Sequence, residues 1–102
     1  MTIDELNALA DQCPSGRDIL DECLTVAHVL LVKNTQYGDS ALTPLRILSR
    51  ADAVEQLKVR IDDKLSRIGR GNGDGQEDAE LDLAGYFVLL RVARRRAAAG
   101  AR

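Results

Sequence analysis

Apolar residues recur along this chain at spacings of three and four, and no stretch alternates strictly between apolar and polar residues. Spacings of three and four are typical of amphipathic helices, whereas strict alternation would indicate strands. We therefore predict an all-α fold. Three long helical segments and one short one predict a single domain over 1–102, organised like a four-helix bundle, with its core within about 15–96.

The first half of the chain predicts a short helix followed by a long one. Thr2 and Glu5 match the capping box that begins a helix, and the turn at 14–16 ends that helix. The second helix is predicted from about Ser15 or Arg17 to about Gln36, with Gly38 as its stop. Its apolar residues are expected to face the core: Ile19, Leu20, Cys23, Leu24, Ala27, Leu30 and Leu31.

The second half predicts a helical hairpin. Thr43 and Pro44 indicate a short helical turn through Leu45 and Ile47. A third helix is then predicted to open at Ser49. Its expected apolar seam consists of Val54, Leu57, Ile61, Leu65 and Ile68. Because glycine disfavours helix, the segment 69–75 should join this helix to a fourth one in a long antiparallel hairpin.

The fourth helix is predicted from about Gln76 to Arg96. Between positions 83 and 93 only Gly85 and Arg91 interrupt its hydrophobic side chains. A helix that is apolar all round is typical of burial on every side. We therefore expect the protein to associate with itself through this C-terminal helix, as a homodimer or a higher homo-oligomer.

Charge is distributed unevenly along the chain. The 14 lysines and arginines and 16 acids give a net charge of −2, which argues against a general nucleic-acid binder. All the acids lie within 1–90, whereas 91–102 holds five arginines and ends in a basic tail at 94–102. The N-terminus lacks the layout of a secretion signal, and no apolar run approaches the ~20 residues that span a bilayer. We expect a cytoplasmic protein without a membrane segment.

A group of acids follows the glycine-rich segment, and a cation should face them. Asp78 and Asp82 lie four residues apart on one helix face, where like charges repel. One interpretation pairs them with Arg60, Lys64 and Arg67 across the hairpin. The other is a Mg²⁺ ion held by carboxylates from two helices, namely Asp62, Asp63, Asp78 and Asp82. The sequence leaves both open.

Several short motifs carry a resemblance to a known family. They are Lys33-Asn34, the segment 37–40, the segment 44–47, the segment 60–68, Glu77-Asp78, Asp82-Leu83 and Gly85-Tyr86. In this order they resemble the small phage proteins called nucleotide modification associated domain 1, over about 30–93. Such proteins look similar in style to the MazG-like all-α nucleoside triphosphate pyrophosphatases. The resemblance implies that the chain handles nucleotides.

The loop after the second helix suits that role. Tyr37 offers a ring for base stacking, Ser40 a hydroxyl and Asp39 a carboxylate, and Lys33 and Asn34 lie one turn earlier. We expect these five residues to hold base and sugar. Phosphate would be met by three cations of the third helix, Arg60, Lys64 and Arg67.

Two functions are therefore predicted for a phage-type nucleotide-binding protein. The first is hydrolysis of a nucleotide phosphoanhydride, in which Mg²⁺ lowers the pKa of water and neutralises phosphate charge. The alternative is a non-catalytic oligomeric sponge that sequesters a nucleotide second messenger of host anti-phage defence. A third interpretation is a structural interaction module whose charges pair only with each other.

Overall fold

The computed structural model describes residues 1–44, 46–71 and 78–100, and within them the protein is all-helical. The four helices are α1 (Ile3–Ala10), α2 (Gly16–Gln36), α3 (Ala53–Gly69) and α4 (Ala79–Gly100), without a strand in the described ranges. The all-α prediction is confirmed, and the packing is compatible with a bundle. The predicted turn at Leu45, the glycines of 72–75 and the predicted helix start at 76–77 lie outside the described residues.

A tight turn folds α1 back onto α2. The capping box at the start of α1 is present as predicted, because the Thr2 hydroxyl accepts from the Glu5 amide and the Glu5 carboxylate from the Thr2 amide. Gly16 is buried where α2 begins, and a Cβ there would lie 1.9 Å from the carbonyl oxygen of Ala10. Only glycine allows this approach. The Arg17 guanidinium closes the turn by donating to Asn7 and Asp11.

The core lies between α3 and α4, which form the predicted antiparallel hairpin. Lys64 near the end of α3 contacts Asp82 near the start of α4, while Leu57, earlier in α3, packs in the same cluster as Leu89. The buried apolar residues of this cluster are Leu57, Ile61, Leu89, Leu90 and Ala93. Burying these side chains supplies the hydrophobic stabilisation of the hairpin.

Two details of the α3 prediction are wrong. The helix begins at Ala53, not at Ser49, because the Asp52 side chain accepts from the Glu55 amide and caps the helix there. The seam is also correct only in its first part. Leu65 and Ile68 are 48% and 43% exposed, and the buried position in the last turns is Lys64. A lysine can occupy this position because a carboxylate of α4 faces it.

The expected inward face of α2 is wrong as well. Gly16 is the one buried residue among the 21 of this helix. Of the seven apolar residues predicted to face the core, Leu30 packs against it, whereas Ile19, Leu24 and Leu31 are 60%, 52% and 66% exposed. The reason is that the backbone of α2 approaches α4 near its C-terminal end and α1 near its N-terminal end, and within the described part of the chain it does not come close to the backbone of α3.

The last helix extends further than predicted, to Gly100, so that the described part of the basic tail continues α4 instead of leaving it. Its buried residues Leu89, Leu90 and Ala93 pack in the cluster with α3, buried Gly85 lies against Leu30 of α2, and Phe87 and Val88 are 47% and 42% exposed. Arg91 and the arginines at 94–96 are exposed too. The helix α4 therefore has a solvent-exposed face and is not buried on every side within one copy. Self-association through this helix stays a prediction. Among the described residues no helix is both long and apolar enough to cross a bilayer.

Candidate functional site

A pocket of about 420 Å³ opens between α2, α4 and the loop that follows α2, with Arg60 of α3 also in its lining. Its volume lies within the range of about 300–1,000 Å³ that is common for small-molecule sites. Most of its lining surface is apolar, and half of its fourteen lining residues carry a polar group. The polar lining residues are Lys33, Asn34, Tyr37, Ser40, Arg60, Asp82 and Tyr86, and the others are Val26, Val29, Leu30, Ala41, Leu81, Gly85 and Leu89.

A small residue, Gly85, sets the distance between α2 and α4 beside the pocket. Gly85 of α4 is buried, and a Cβ at this position would lie 3.1 Å from Cδ1 of Leu30 in α2. The two helices can therefore approach closely beside the pocket. Leu30 lies against Gly85, and Lys33, three residues later in α2, contacts Asp82, three residues earlier in α4. The helices α2 and α4 therefore run antiparallel beside the pocket.

The loop after α2 is shaped by two residues in the left-handed region. Gly38 has φ +58° and ends the helix as predicted, and Asp39 has φ +64°, which Asp tolerates better than most residues. The Asp39 carbonyl accepts from the amides of Leu42 and Thr43 at 3.0 and 2.8 Å. The Asp39 carboxylate accepts from the side-chain amide of Asn34. These bonds hold Tyr37 and Ser40 at the rim of the pocket.

Asp82 joins three helices through two ion pairs. Its Oδ1 lies 3.1 Å from Nζ of Lys33 in α2, and its Oδ2 lies 3.1 Å from Nζ of Lys64 in α3. The side chain of Lys64 is 11% exposed and that of Asp82 20%. Burial raises the pKa of Asp82, but the hydrogen bonds and positive charges of Lys33 and Lys64 outweigh it, so the pKa lies below its usual value. The carboxylate is therefore held ionised.

The pocket carries positive charge although the chain as a whole is acidic. Lys33 and Arg60 are the cations of its described lining, and Asp82 is the acid there. Lys64 contacts the same carboxylate from outside the lining. Arg60 is exposed and has no hydrogen-bond or ion-pair partner within the ranges that the structure describes. A guanidinium at the rim of a pocket can donate two parallel hydrogen bonds to a phosphate or a carboxylate.

Of the eight residues predicted to bind a ligand, five line this pocket: Lys33, Asn34, Tyr37, Ser40 and Arg60. The other three do not line it. Asp39 shapes the loop behind the rim, Lys64 is buried against Asp82, and Arg67 is exposed near the end of α3 with a partner of its own.

The four predicted metal ligands do not share a position. Asp62 and Asp63 are exposed on α3, and the Asp78 carboxylate accepts from the Leu81 amide at the start of α4. Both oxygens of Asp82 accept from lysines. Within the described residues no three acids, histidines or cysteines come together as a metal site. These carboxylates therefore do not fit a shared magnesium site, and Mg²⁺ stays a prediction of the sequence.

The sequence did not predict Tyr86 as a pocket residue, nor the apolar side chains of α2 and α4 that line the pocket. The chain has two tyrosines, and both line this one pocket. With aromatic residues at 3% of the chain, their rarity was a usable signal. Lys33 was predicted to meet a ligand directly, and its pairing with Asp82 was not expected. The apolar part of the lining could not be predicted, because its residue Leu30 was expected to face the core of the bundle.

No protein-family model matches the chain, and no curated protein or solved structure is significantly similar to it. The resemblance to the phage family therefore stays a prediction from the motifs.

Proposed function

We propose that this protein binds a nucleotide, or a closely related phosphorylated aromatic small molecule, in the pocket between α2 and α4. The observation that carries the proposal is the combination of both tyrosines with Lys33 and Arg60 around an apolar cavity of about 420 Å³. A planar base suits the aromatic and apolar part, and phosphate suits the cations.

The two halves of the pocket support the two halves of such a ligand. Tyr37 is 67% exposed at the rim, and Tyr86 is partly buried on the opposite helix. Rings in these places can stack on a base, which contributes about 1–3 kcal/mol in nucleic-acid sites. Arg60 offers its planar guanidinium to phosphate, and the ammonium group of Lys33 lies on the same pocket.

Binding is supported better than hydrolysis. The carboxylate in the described lining of the pocket is Asp82, and it is engaged by two lysines instead of being available to a metal or to water. This favours the sponge over the Mg²⁺-assisted hydrolase, since a sponge needs cations and aromatic rings and no metal. In this proposal the protein is a cytoplasmic, phage-type protein that holds a nucleotide signal intact.

The test is calorimetric titration of the protein with nucleoside mono-, di- and triphosphates and cyclic nucleotides, with and without Mg²⁺. Matching nucleosides serve as phosphate-free ligands. We expect at least one nucleotide to bind and its nucleoside to bind far more weakly. Replacing Arg60 by Gln should weaken binding at least about tenfold, because a charge-assisted hydrogen bond contributes about 1.5–3 kcal/mol.

Arg91→Gln is the matched control, since it removes the same charge from an exposed position outside the pocket lining. It should leave the affinity unchanged. Analysis of the small molecules after denaturation of the complex separates the two functions: intact nucleotide supports a sponge, and hydrolysed nucleotide supports an enzyme. If no nucleotide binds, or if both arginine variants weaken binding equally, the proposal is wrong.

A further inference from the structure

The exposed apolar face of α2 points to a second copy of this chain as its partner. We infer that two copies pair through this face, with their α2 helices antiparallel about a twofold axis. The α2 stripe consists of Leu20, Leu24, Ala27 and Leu31, which recur at spacings of four, three and four. That spacing keeps them on one face of the helix, as in the seam of a coiled coil. The inference does not depend on what the pocket binds.

Three of the four stripe residues are exposed within one copy. Leu24 and Leu31 are 52% and 66% exposed, Ala27 is exposed, and Leu20 is half-buried. In proteins, most of the stability of a helix comes from the packing of its apolar face against other elements. A helix of 21 residues with Gly16 as its one buried residue therefore lacks the packing that such a helix needs.

The surface area agrees with this interpretation. The chain exposes 7947 Å², whereas a monomeric globular protein of its mass exposes about 5,700 Å². The excess of about 2,300 Å² is larger than the roughly 800 Å² that each partner buries in a standard interface. The radius of gyration, 16.1 Å, also exceeds the value of about 13 Å for a compact chain of this length.

A second copy fits because the stripe is self-complementary when the helices are antiparallel. Leu20 then lies opposite Leu31 at each end of the stripe, and Leu24 lies opposite Ala27 in its middle. Each large leucine in the middle therefore faces a small alanine. Asp21 and His28 flank the stripe on one side, seven residues apart. Antiparallel pairing brings Asp21 near the second copy's His28, whereas parallel pairing places these residues of the two copies on opposite sides of the seam.

The stripe and the pocket use different faces of α2. Val26, Val29 and Lys33 line the pocket, and none of the four stripe residues does. A dimer formed in this way would leave both pockets open. This arrangement differs from the sequence prediction of self-association through α4, and the experiment below separates the two.

The first test measures the mass of the full chain by sedimentation equilibrium. We expect wild-type protein to have twice the chain mass of 11.1 kDa at about 100 µM, where a micromolar dimer is assembled. The double variant Leu24→Asp, Leu31→Asp should raise the dissociation constant roughly 100-fold or more. Its circular dichroism spectrum should stay helical, since neither residue is buried.

The matched control is Val59→Asp, Phe87→Asp, which charges exposed apolar residues of α3 and α4. It should remain a dimer. A monomeric wild-type protein at that concentration overturns the inference. A dimer that resists the α2 substitutions also overturns it, as does one that dissociates with the control variant, which would favour the α4 interface.

The second test determines the orientation. Cys13 and Cys23 are exposed and are first replaced by Ser. In that background Leu20→Cys and Leu31→Cys proteins are oxidised separately and as a mixture. Antiparallel helices should cross-link only in the mixture, because two copies of position 20 would lie about 16 Å apart along the helix. Cross-linking of either protein with itself, or none in the mixture, contradicts the antiparallel arrangement.

Discussion

The two helical hairpins of this protein use their apolar residues in opposite ways. The α3–α4 hairpin buries Leu57, Ile61, Leu89, Leu90 and Ala93 against one another. In α1 and α2 together, only Ala10 and Gly16 are buried. The α3–α4 hairpin therefore forms the core. The α1–α2 hairpin instead presents surfaces: α2 lines the pocket with one face and carries the α2 stripe on another.

This difference indicates how the molecule divides stability and binding. Elements with few buried apolar contacts open at lower free energy than core elements. The α1–α2 hairpin is attached to the core through the Leu30 contact with α4 and through the ion pair of Lys33 with Asp82, a carboxylate that Lys64 of α3 also contacts. Binding at the pocket should therefore be sensitive to this attachment, and the global stability to the α3–α4 core.

The largest expected effect comes from the core. Leu57 is 1% exposed, and Leu57→Ala should lower the free energy of unfolding by about 2–5 kcal/mol, because the lost side chain leaves a cavity. Chemical denaturation followed by circular dichroism measures this. Leu65→Ala on the same helix is the control, and since Leu65 is 48% exposed, its cost should be far smaller. Equal costs would contradict the location of the core.

The next effect tests the attachment of α2 to the core. Asp82→Asn should lower the free energy of unfolding by about 1.5–3 kcal/mol at neutral pH, since two charge-assisted hydrogen bonds are weakened. The folded state lowers the pKa of Asp82, so its contribution is complete above the ordinary value of 3.8 and is lost as pH falls through the lowered pKa. Denaturation from pH 7 to 2 should show the difference between wild type and variant shrinking below about pH 4. A difference that is constant with pH would contradict the role of the charge.

A smaller effect is expected at the turn between α1 and α2. Gly16→Ala should cost about 1–3 kcal/mol, because the added Cβ would overlap the Ala10 carbonyl and force α1 away from α2. Hydrogen exchange should show faster exchange in α1 and little change in α3. Gly69→Ala is the matched control, since a Cβ there meets nothing within 4 Å, and it should be neutral or slightly stabilising.

The smallest effect is expected at the first helix cap. Thr2→Ala removes the hydroxyl that accepts from the Glu5 amide and should cost about 1 kcal/mol or less of helix stability. Thr2→Ser keeps the hydroxyl and should restore it. Because α1 lies outside the core, the change should be visible in exchange of the α1 amides. Unchanged or slower exchange in the Ala variant would contradict a stabilising cap.

Sequence patterns predicted what depends on local chemistry. The capping box at Thr2, the stop at Gly38 and the antiparallel hairpin all follow from residues close together in the chain. Four of the predicted ligand residues, Lys33, Asn34, Tyr37 and Ser40, line one pocket because the end of α2 and the loop after it keep them adjacent wherever the helix packs. The fifth, Arg60, reaches the same pocket from α3.

Features that depend on long-range packing were not predictable in the same way. Periodicity marks an apolar face and cannot say whether the same chain covers it, so the face of α2 with Leu24 and Leu31 was wrongly assigned to the core. Asp82 needed a cation, and Lys64 was a predicted partner. Lys33, 49 residues away, was not, because nothing local brings α2 to α4.

The most direct test of the nucleotide pocket is to follow backbone and side-chain resonances of the full chain by NMR during titration with adenosine monophosphate and the other nucleotides. The pocket predicts the largest shifts at Lys33, Tyr37, Arg60 and Tyr86, with little change at Val59 or Phe87. Saturable shifts confined to the arginines at 91–96, or no shifts with any nucleotide, would contradict it.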